Sequence, residues 1–266
     1  MSDTDSATAA RFSTVKDGTI LRVTITNPKR KNAIDYDTMV ALGDIFLAAA
    51  QDRAVRVIVL TGEGGDFCTG ADLSASAGEA QRGITSDMVM DAASRLVKAI
   101  VDAPVPVIAR IKGAAAGVGV GLALAADLVY ADANSYLLLA FINIGLMPDG
   151  GAAAMVAAAA GRPLAAEMAL LGERLPAPAA KEAGLFTAVL AEDQLDAMVE
   201  AAAAKLAAGP RRALELTKKA LNAATLPSLD AALAAEKSGQ TELLQSPDFF
   251  EGATAMLTKR KPVFGV

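Results

Sequence analysis

Histidine is absent from this chain, and Cys68 is its one cysteine. Without histidine there is no histidine-dependent catalytic triad, no histidine metal site and no imidazole base. Carboxylate, lysine, tyrosine, the lone thiol or the backbone must carry any chemistry. A single cysteine excludes an intrachain disulfide and a cysteine-built zinc centre, so no metal ligand set is expected. Positive charge is in deficit too: 25 Lys and Arg face 30 Asp and Glu, a net charge of −5. That balance argues against nucleic acid as a partner, while a local basic patch for a phosphorylated ligand remains open. The phosphate loop GxxxxGK followed by Ser or Thr is missing, and so is a GxGxxG with an acidic ribose contact. The opening residues, MSDTDSATAA, lack the charged-then-apolar pattern of an export signal, and the apolar runs are alanine-rich and interrupted. A soluble, cytoplasmic protein with no membrane partner is expected.

What is present is globular in composition: 53% hydrophobic and 21% charged residues in 266, enough for one large domain and an appended helical piece. Residues 1–11 are expected to be disordered. Phe12 to Thr26 alternates with period two around Asp17-Gly18 and predicts a hairpin. Asp35 is placed to cap a helix whose apolar face is Met39, Leu42, Ile45, Phe46 and Ala49. VRVIVLT, Val55 to Thr61, reads as a strand covered on both faces, followed by the glycine-rich GEGGDFCTG. The unit then repeats, with a helix at 86–101, a strand at 105–111, a second glycine-rich loop and a helix near 120–126. After two short strands at 128–130 and 136–139 the chain turns helical. Segments at 152–160, 165–171, 178–183, 193–206 and 211–223 come first. A helix capped by Ser228 and a last one begun by Ser246-Pro247 follow.

Each glycine-rich loop follows a buried strand and leads toward a helix, where unpaired backbone N–H groups face the crevice. Cys68 to Leu73 (CTGADL) and Gly113 to Asp127 can therefore hold one ligand oxygen between them. In GVGVG, Gly117 to Gly121, small residues equally suit close helix packing. A third segment, INIGLMPDGG from Ile142 to Gly151, holds one carboxylate, Asp149, within apolar surroundings. Pro-Asp-Gly-Gly before an alanine-rich run also suits a plain turn and helix cap. Glu63 and Asp66 read as solvated, Glu167 as a paired structural acid, Asn143 as structural, and Cys68 as core packing.

Taken together and in this order, NPKRKNAI, VIVLTGEGGDFCTGADL, PVPVIARIKGAAAGVGVGLALAADLVYA, IGLMPDGG, GERLPA, AGLFTAVL and EGATAMLTKRKPVF resemble the crotonase superfamily, the enoyl-CoA hydratase/isomerase family. The resemblance covers nearly the whole chain from Phe12. It implies an α/β fold: a crotonase-like spiral of ββα units over 12–200, with a helical C-terminal trimerisation region over 201–266. It implies a homotrimer or dimer of trimers binding acyl-CoA thioesters, with coenzyme A part of the substrate and no other cofactor. Carried over residue by residue, the oxyanion donors are the backbone N–H groups of Ala71 and Val118. The CoA-binding positions are Lys31, Ala33, Asp72, Leu73 and Lys259, although the Lys259-Arg260-Lys261 run equally suits a helix C-terminus. Phe141, Leu146 and Met147 suggest an apolar acyl pocket.

One departure from the family pattern matters. Where enoyl-CoA hydratases place two glutamates around a water, the resemblance aligns Gly121 and Phe141, and neither moves a proton. Asp149 aligns with the carboxylate of isomerase branches, and one carboxylate suffices for a 1,3-proton shift. The expectation is a double-bond isomerase. The alternatives are a hydratase-like lyase that positions water with Asp149 alone, or an acyl-CoA-binding protein without catalysis.

Overall fold

The computed structural model describes residues 11–265. Of the segment expected to lack order, residues 1–10 lie outside that range. Arg11 belongs to the fold, because its guanidinium donates to Asp72 at 2.8 Å.

The hairpin forms as β1 (Phe12–Asp17) and β2 (Ile20–Ile25), and Gly18 supplies the positive φ of its turn. Helix α1 (Tyr36–Gln51) starts where the Asp35 carboxylate accepts from Thr38 N–H at 2.9 Å. There follow β3 (Val57–Gly62), α2 (Ser76–Gln81), α3 (Ser86–Val101), β4 (Val107–Ile111), β5 (Ala114–Ala116), α4 (Val118–Leu124), β6 (Leu128–Asp132) and β7 (Tyr136–Leu138). A 3-10 turn at Ala140–Ile144 precedes α5 (Ala152–Leu171), β8 (Arg174–Pro176), α6 (Ala177–Glu182) and β9 (Ala188–Leu190). Helices α7 (Glu192–Ala208), α8 (Arg211–Thr225), α9 (Leu229–Leu243) and α10 (Pro247–Leu257) complete the described chain.

The strands make a six-stranded sheet in the order β1-β2-β3-β4-β6-β9 and a three-stranded sheet in the order β5-β7-β8. Apart from the antiparallel β1–β2 hairpin, the larger sheet is parallel. A parallel strand must be covered on both faces, and β3 shows how. Its Ile58 and Leu60 enter the main core with Phe46 of α1 and Leu96 of α3. The alternate residues, Val57 and Val59, pack with Leu195, Val199 and Ala203 of α7. Each fully buried Leu, Ile or Phe there contributes about 1.5–3 kcal/mol.

Two expectations change. The boundary at 200 falls inside α7, because Leu195, Val199 and Ala203 form one stripe that seals the sheet. Ser228 occupies the cap position of α9 without a side-chain cap bond, since its backbone (φ −101, ψ 8) is not the extended one a capping side chain needs. The two segments expected at 152–160 and 165–171 are found: α5 is two helical pieces that meet at Gly161, whose φ of 82 and ψ of 163 leave the helical region. In length and composition α5 is apolar enough to cross a membrane, but that break divides it. Ser246 caps α10 as expected, accepting from Phe249 N–H at 3.1 Å with Pro247 behind it.

Candidate active site

The loop after β3 is fastened on two sides. Ala116 N–H donates to Cys68 C=O at 2.9 Å, and Cys68 N–H to Ala114 C=O at 3.1 Å, zipping the loop to β5. On the other side Ile34 N–H donates to Gly70 C=O and Asp72 N–H to Ile34 C=O, both at 2.9 Å. This arrangement uses the Gly70 C=O and the Asp72 N–H on either side of Ala71 and leaves the Ala71 N–H without an acceptor among the described residues. Val118, the first residue of α4, likewise has an N–H with no acceptor among the described residues, as helix starts do.

The two loops meet at glycines. A Cβ on Gly70 would lie 3.2 Å from Ala116 O and 3.5 Å from Val118 N, and one on Gly119 would lie 2.2 Å from Cys68 O. The GVGVG run is therefore required by contact: it lets α4 press against the first loop. Both donors line a single cavity of about 850 Å³. Cys68, buried beneath, has its thiol pushed up to about 12 by burial, so it is a core residue and not a nucleophile.

Asp149 lines the same cavity. Gln240 of α9 donates from Nε2 to Asp149 Oδ2 at 3.0 Å, while Oδ1 is buried without a hydrogen-bond partner among the described residues. Burial pushes the carboxyl up to about 6, against the opposing pull of the Gln240 bond. Asp149 is not the helix cap that the sequence also allowed, because α5 has no side-chain cap bond and starts from Gly151. Glu236, one turn from Gln240, accepts from Gly151 N–H at 2.8 Å. Its own carboxyl is pushed up to about 7 by burial and by the Asp149 charge, which outweigh the Gly151 bond. The repulsion falls on whichever acid ionises second, which places it on Glu236.

Other sequence-assigned positions divide. Ala33, Asp72, Leu73, Phe141 and Leu146 line the cavity with Ala71, Val118 and Asp149. Lys31, Met147 and Lys259 are not among the cavity-lining residues. Lys31 takes a left-handed conformation (φ 53) and its Nζ lies 3.6 Å from Asp66, while its neighbour Arg30 lines the cavity. Met147 turns to α9, where a Cβ on Gly239 would lie 2.4 Å from its sulfur. Lys259, also left-handed (φ 56), is exposed just past α10, and Arg260 lines the cavity in its place. The Asp72 side chain is occupied structurally. Burial would raise its pKa, but bonds from Ser74 and Arg11 outweigh this and hold it low.

Asp66 is not simply solvated: its carboxylate accepts from Ala114 N–H at 3.0 Å and its carbonyl from Asn32 at 2.7 Å. Glu167 is exposed and has no ion pair among the described residues, so it is no paired structural acid. Asn143 binds Gly172 C=O at 2.8 Å, a structural role. Gln240, Glu236 and the buried Glu79, which accepts from Tyr36 N–H at 2.7 Å and whose pKa burial raises, were not read from sequence. The one signal there was a pair of polar residues at i and i+4 on an otherwise alanine- and leucine-rich helix face. Among the described residues no group of three or more His, Cys, Asp or Glu is arranged to hold a metal.

Two backbone N–H groups without acceptors among the described residues and a buried carboxyl with a raised pKa thus line one cavity. A family model described as enoyl-CoA hydratase/isomerase matches residues 15–266. The chain is 40% identical over 246 residues to a probable enoyl-CoA hydratase of Rhodobacter capsulatus, covering 91% of this chain and 93% of that protein. It is 34% identical over 248 residues to the 1,2-epoxyphenylacetyl-CoA isomerase of Escherichia coli, covering 92% and 94%. A solved enoyl-CoA hydratase from Mycobacterium avium subsp. paratuberculosis matches at 44% identity and a TM-score of 0.90, covering 97% of this chain and 99% of that one. The chain belongs to the enoyl-CoA hydratase/isomerase family of the crotonase superfamily, whose members act on acyl-CoA thioesters.

Proposed function

We propose that this enzyme shifts a double bond along an enoyl-CoA. Asp149 removes a proton from the acyl chain, the electrons move into a dienolate, and the Ala71 and Val118 N–H groups hold its oxygen. Asp149 then returns the proton to a different carbon as the thioester carbonyl re-forms. Each backbone donor contributes about 3–4 kcal/mol to such a step. The single observation that carries the reading is the buried, unpartnered Oδ1 of Asp149 in the donor-lined cavity. A base near 6 is ionised at neutral pH and still accepts a proton readily.

A second reading, hydration with Asp149 alone, is favoured by the hydratase names of relatives. Against it, Gly121 packs so tightly that a Cβ there would lie 2.4 Å from Gly150 O, and Phe141 occupies the other position aligned with a hydratase glutamate. Turnover of 3-enoyl-CoA and 2-enoyl-CoA, measured beside binding of a non-reactive acyl-CoA, separates the readings. Isomerisation without net hydration is expected. Hydration of the 2-enoyl thioester, or binding with no turnover of either, would replace this proposal.

The assembly proposed is a trimer or a dimer of trimers. Leu170 and Leu171 at the end of α5, Leu216 and Leu221 on α8, and Phe250 and Leu257 on α10 are exposed in the single chain. Large exposed apolar side chains on several helices are what a partner surface covers. Light scattering at micromolar concentration should give at least three times the chain mass. A monomer would overturn the assignment.

A further inference from the structure

Helix α9 grips the turn that carries Asp149 at three successive alternate residues. Gln240 Oε1 accepts from Met147 N–H at 3.2 Å, Gln240 Nε2 donates to Asp149 Oδ2 at 3.0 Å, and Glu236 Oε2 accepts from Gly151 N–H at 2.8 Å. Gln240 is buried, 1% exposed, and lines the cavity, whereas Glu236 does not. A glutamine amide has a fixed donor side and a fixed acceptor side. With its oxygen committed to a backbone N–H, which can only donate, its nitrogen must point at the carboxylate.

We propose that Gln240 is a positioning residue that assigns the two oxygens of Asp149 different roles, holding Oδ2 and leaving Oδ1 as the atom that exchanges the proton. This rests on the isomerase reading above. The consequence is electrostatic as well as geometric. One donor on Oδ2 favours the ionised form in a cavity where burial opposes it, so Gln240 keeps Asp149 a usable base at neutral pH. Without the amide the carboxyl is free to turn, and burial acts unopposed.

Charges near this group are few. Glu236 is beside it on α9, and Lys237 of the same helix is turned away to Asp91 of α3 at 2.7 Å. The α3 face toward the cavity presents Met90 and Ala93, and α4 presents Val118, none of them charged. Asp35, Asp72, Glu79, Arg30 and Arg260 are the charged residues that line the same cavity.

The test is the pH dependence of kcat for isomerisation in the full-length protein. Gln240→Leu removes the donor at similar volume, so the acid limb should move up by about one pH unit. At neutral pH the shifted titration lowers kcat about twofold and lost orientation supplies the rest of an expected fall of about tenfold, while KM stays within about twofold. Gln240→Glu is nearly isosteric and donates to Asp149 only while its introduced carboxyl is protonated. It should show a descending alkaline limb that the parent lacks. Loss of a purely structural contact would lower stability without moving either limb. Circular dichroism and binding of a non-reactive acyl-CoA establish that each variant is folded, and if the leucine variant does not fold, the glutamate variant alone decides. Unmoved limbs in folded variants, with Asp149→Asn inactive, would overturn the role of Gln240 and leave the isomerase reading standing. Full activity of Asp149→Asn would overturn both.

Discussion

Asp149→Asn is expected to lower isomerisation by about two to four orders of magnitude, because the amide keeps the size of the carboxyl but accepts no substrate proton. Gln240 Nε2 still finds an oxygen acceptor in the variant, so the turn should hold, and acyl-CoA affinity should change little. Deuterium exchange at the acyl carbon that loses its proton, followed in both proteins, reads the step directly. Retained exchange in the variant would place the base elsewhere. Stability should move in the opposite direction to activity. The folded carboxyl is near 6 while an ordinary Asp titrates at 3.8, so between those values the native state holds a proton that the unfolded chain has released. Stability from this group is therefore present at low pH and lost as pH rises from about 4 to about 6. A two-unit elevation corresponds to about 3 kcal/mol, an upper bound for what a neutral side chain recovers above that range. The asparagine variant should be the more stable protein at pH 8, with the advantage disappearing near pH 4, as paired denaturant titrations at the two pH values would show.

Gly121→Glu, which restores a glutamate at a position where hydratases carry one, is expected to abolish function without creating a hydratase. Its Cβ would lie 2.4 Å from Gly150 O, a backbone atom with no freedom to yield. Gly150 itself has φ of 63, with Val118 Cγ2 2.7 Å from where its own Cβ would be. Any displacement of this turn shifts Asp149 on one side and the Val118 donor on the other. Overpacking of this kind costs about 1–3 kcal/mol, and more where the neighbour is backbone. Gly121→Ala should already show most of the loss in stability and activity. An alanine variant of normal stability and turnover would mean that α4 has slack, and the argument from space against hydration would fail.

Much of the architecture is local in origin. The Asp17-Gly18 hairpin, the Asp35 cap, the buried VIVL run and the Ser246-Pro247 helix start each follow from a few adjacent residues, and each is found where the chain alone puts it. Strands β5, β8 and β9 are not read as strands from sequence, and their positions depend on pairing with distant segments, β5 and β8 with β7 and β9 with β6.

The site divides in the same way. Sequence by itself determined which chemistry was possible: with histidine absent and one buried thiol, a carboxylate and backbone donors were left, and Asp149 stood alone in an apolar stretch. It also displayed the two glycine runs, but only the folded contacts decide that they admit no side chain, as where a Cβ on Gly119 would lie 2.2 Å from Cys68 O. Tertiary structure decided which oxygen of Asp149 is free, since that depends on Gln240, 91 residues away. It decided that Arg30 and Arg260, and not the adjacent Lys31 and Lys259, line the cavity; both lysines sit in left-handed backbone. Orientation at a turn and contact between distant helices are set by the packed whole, and no window of neighbouring residues contains them.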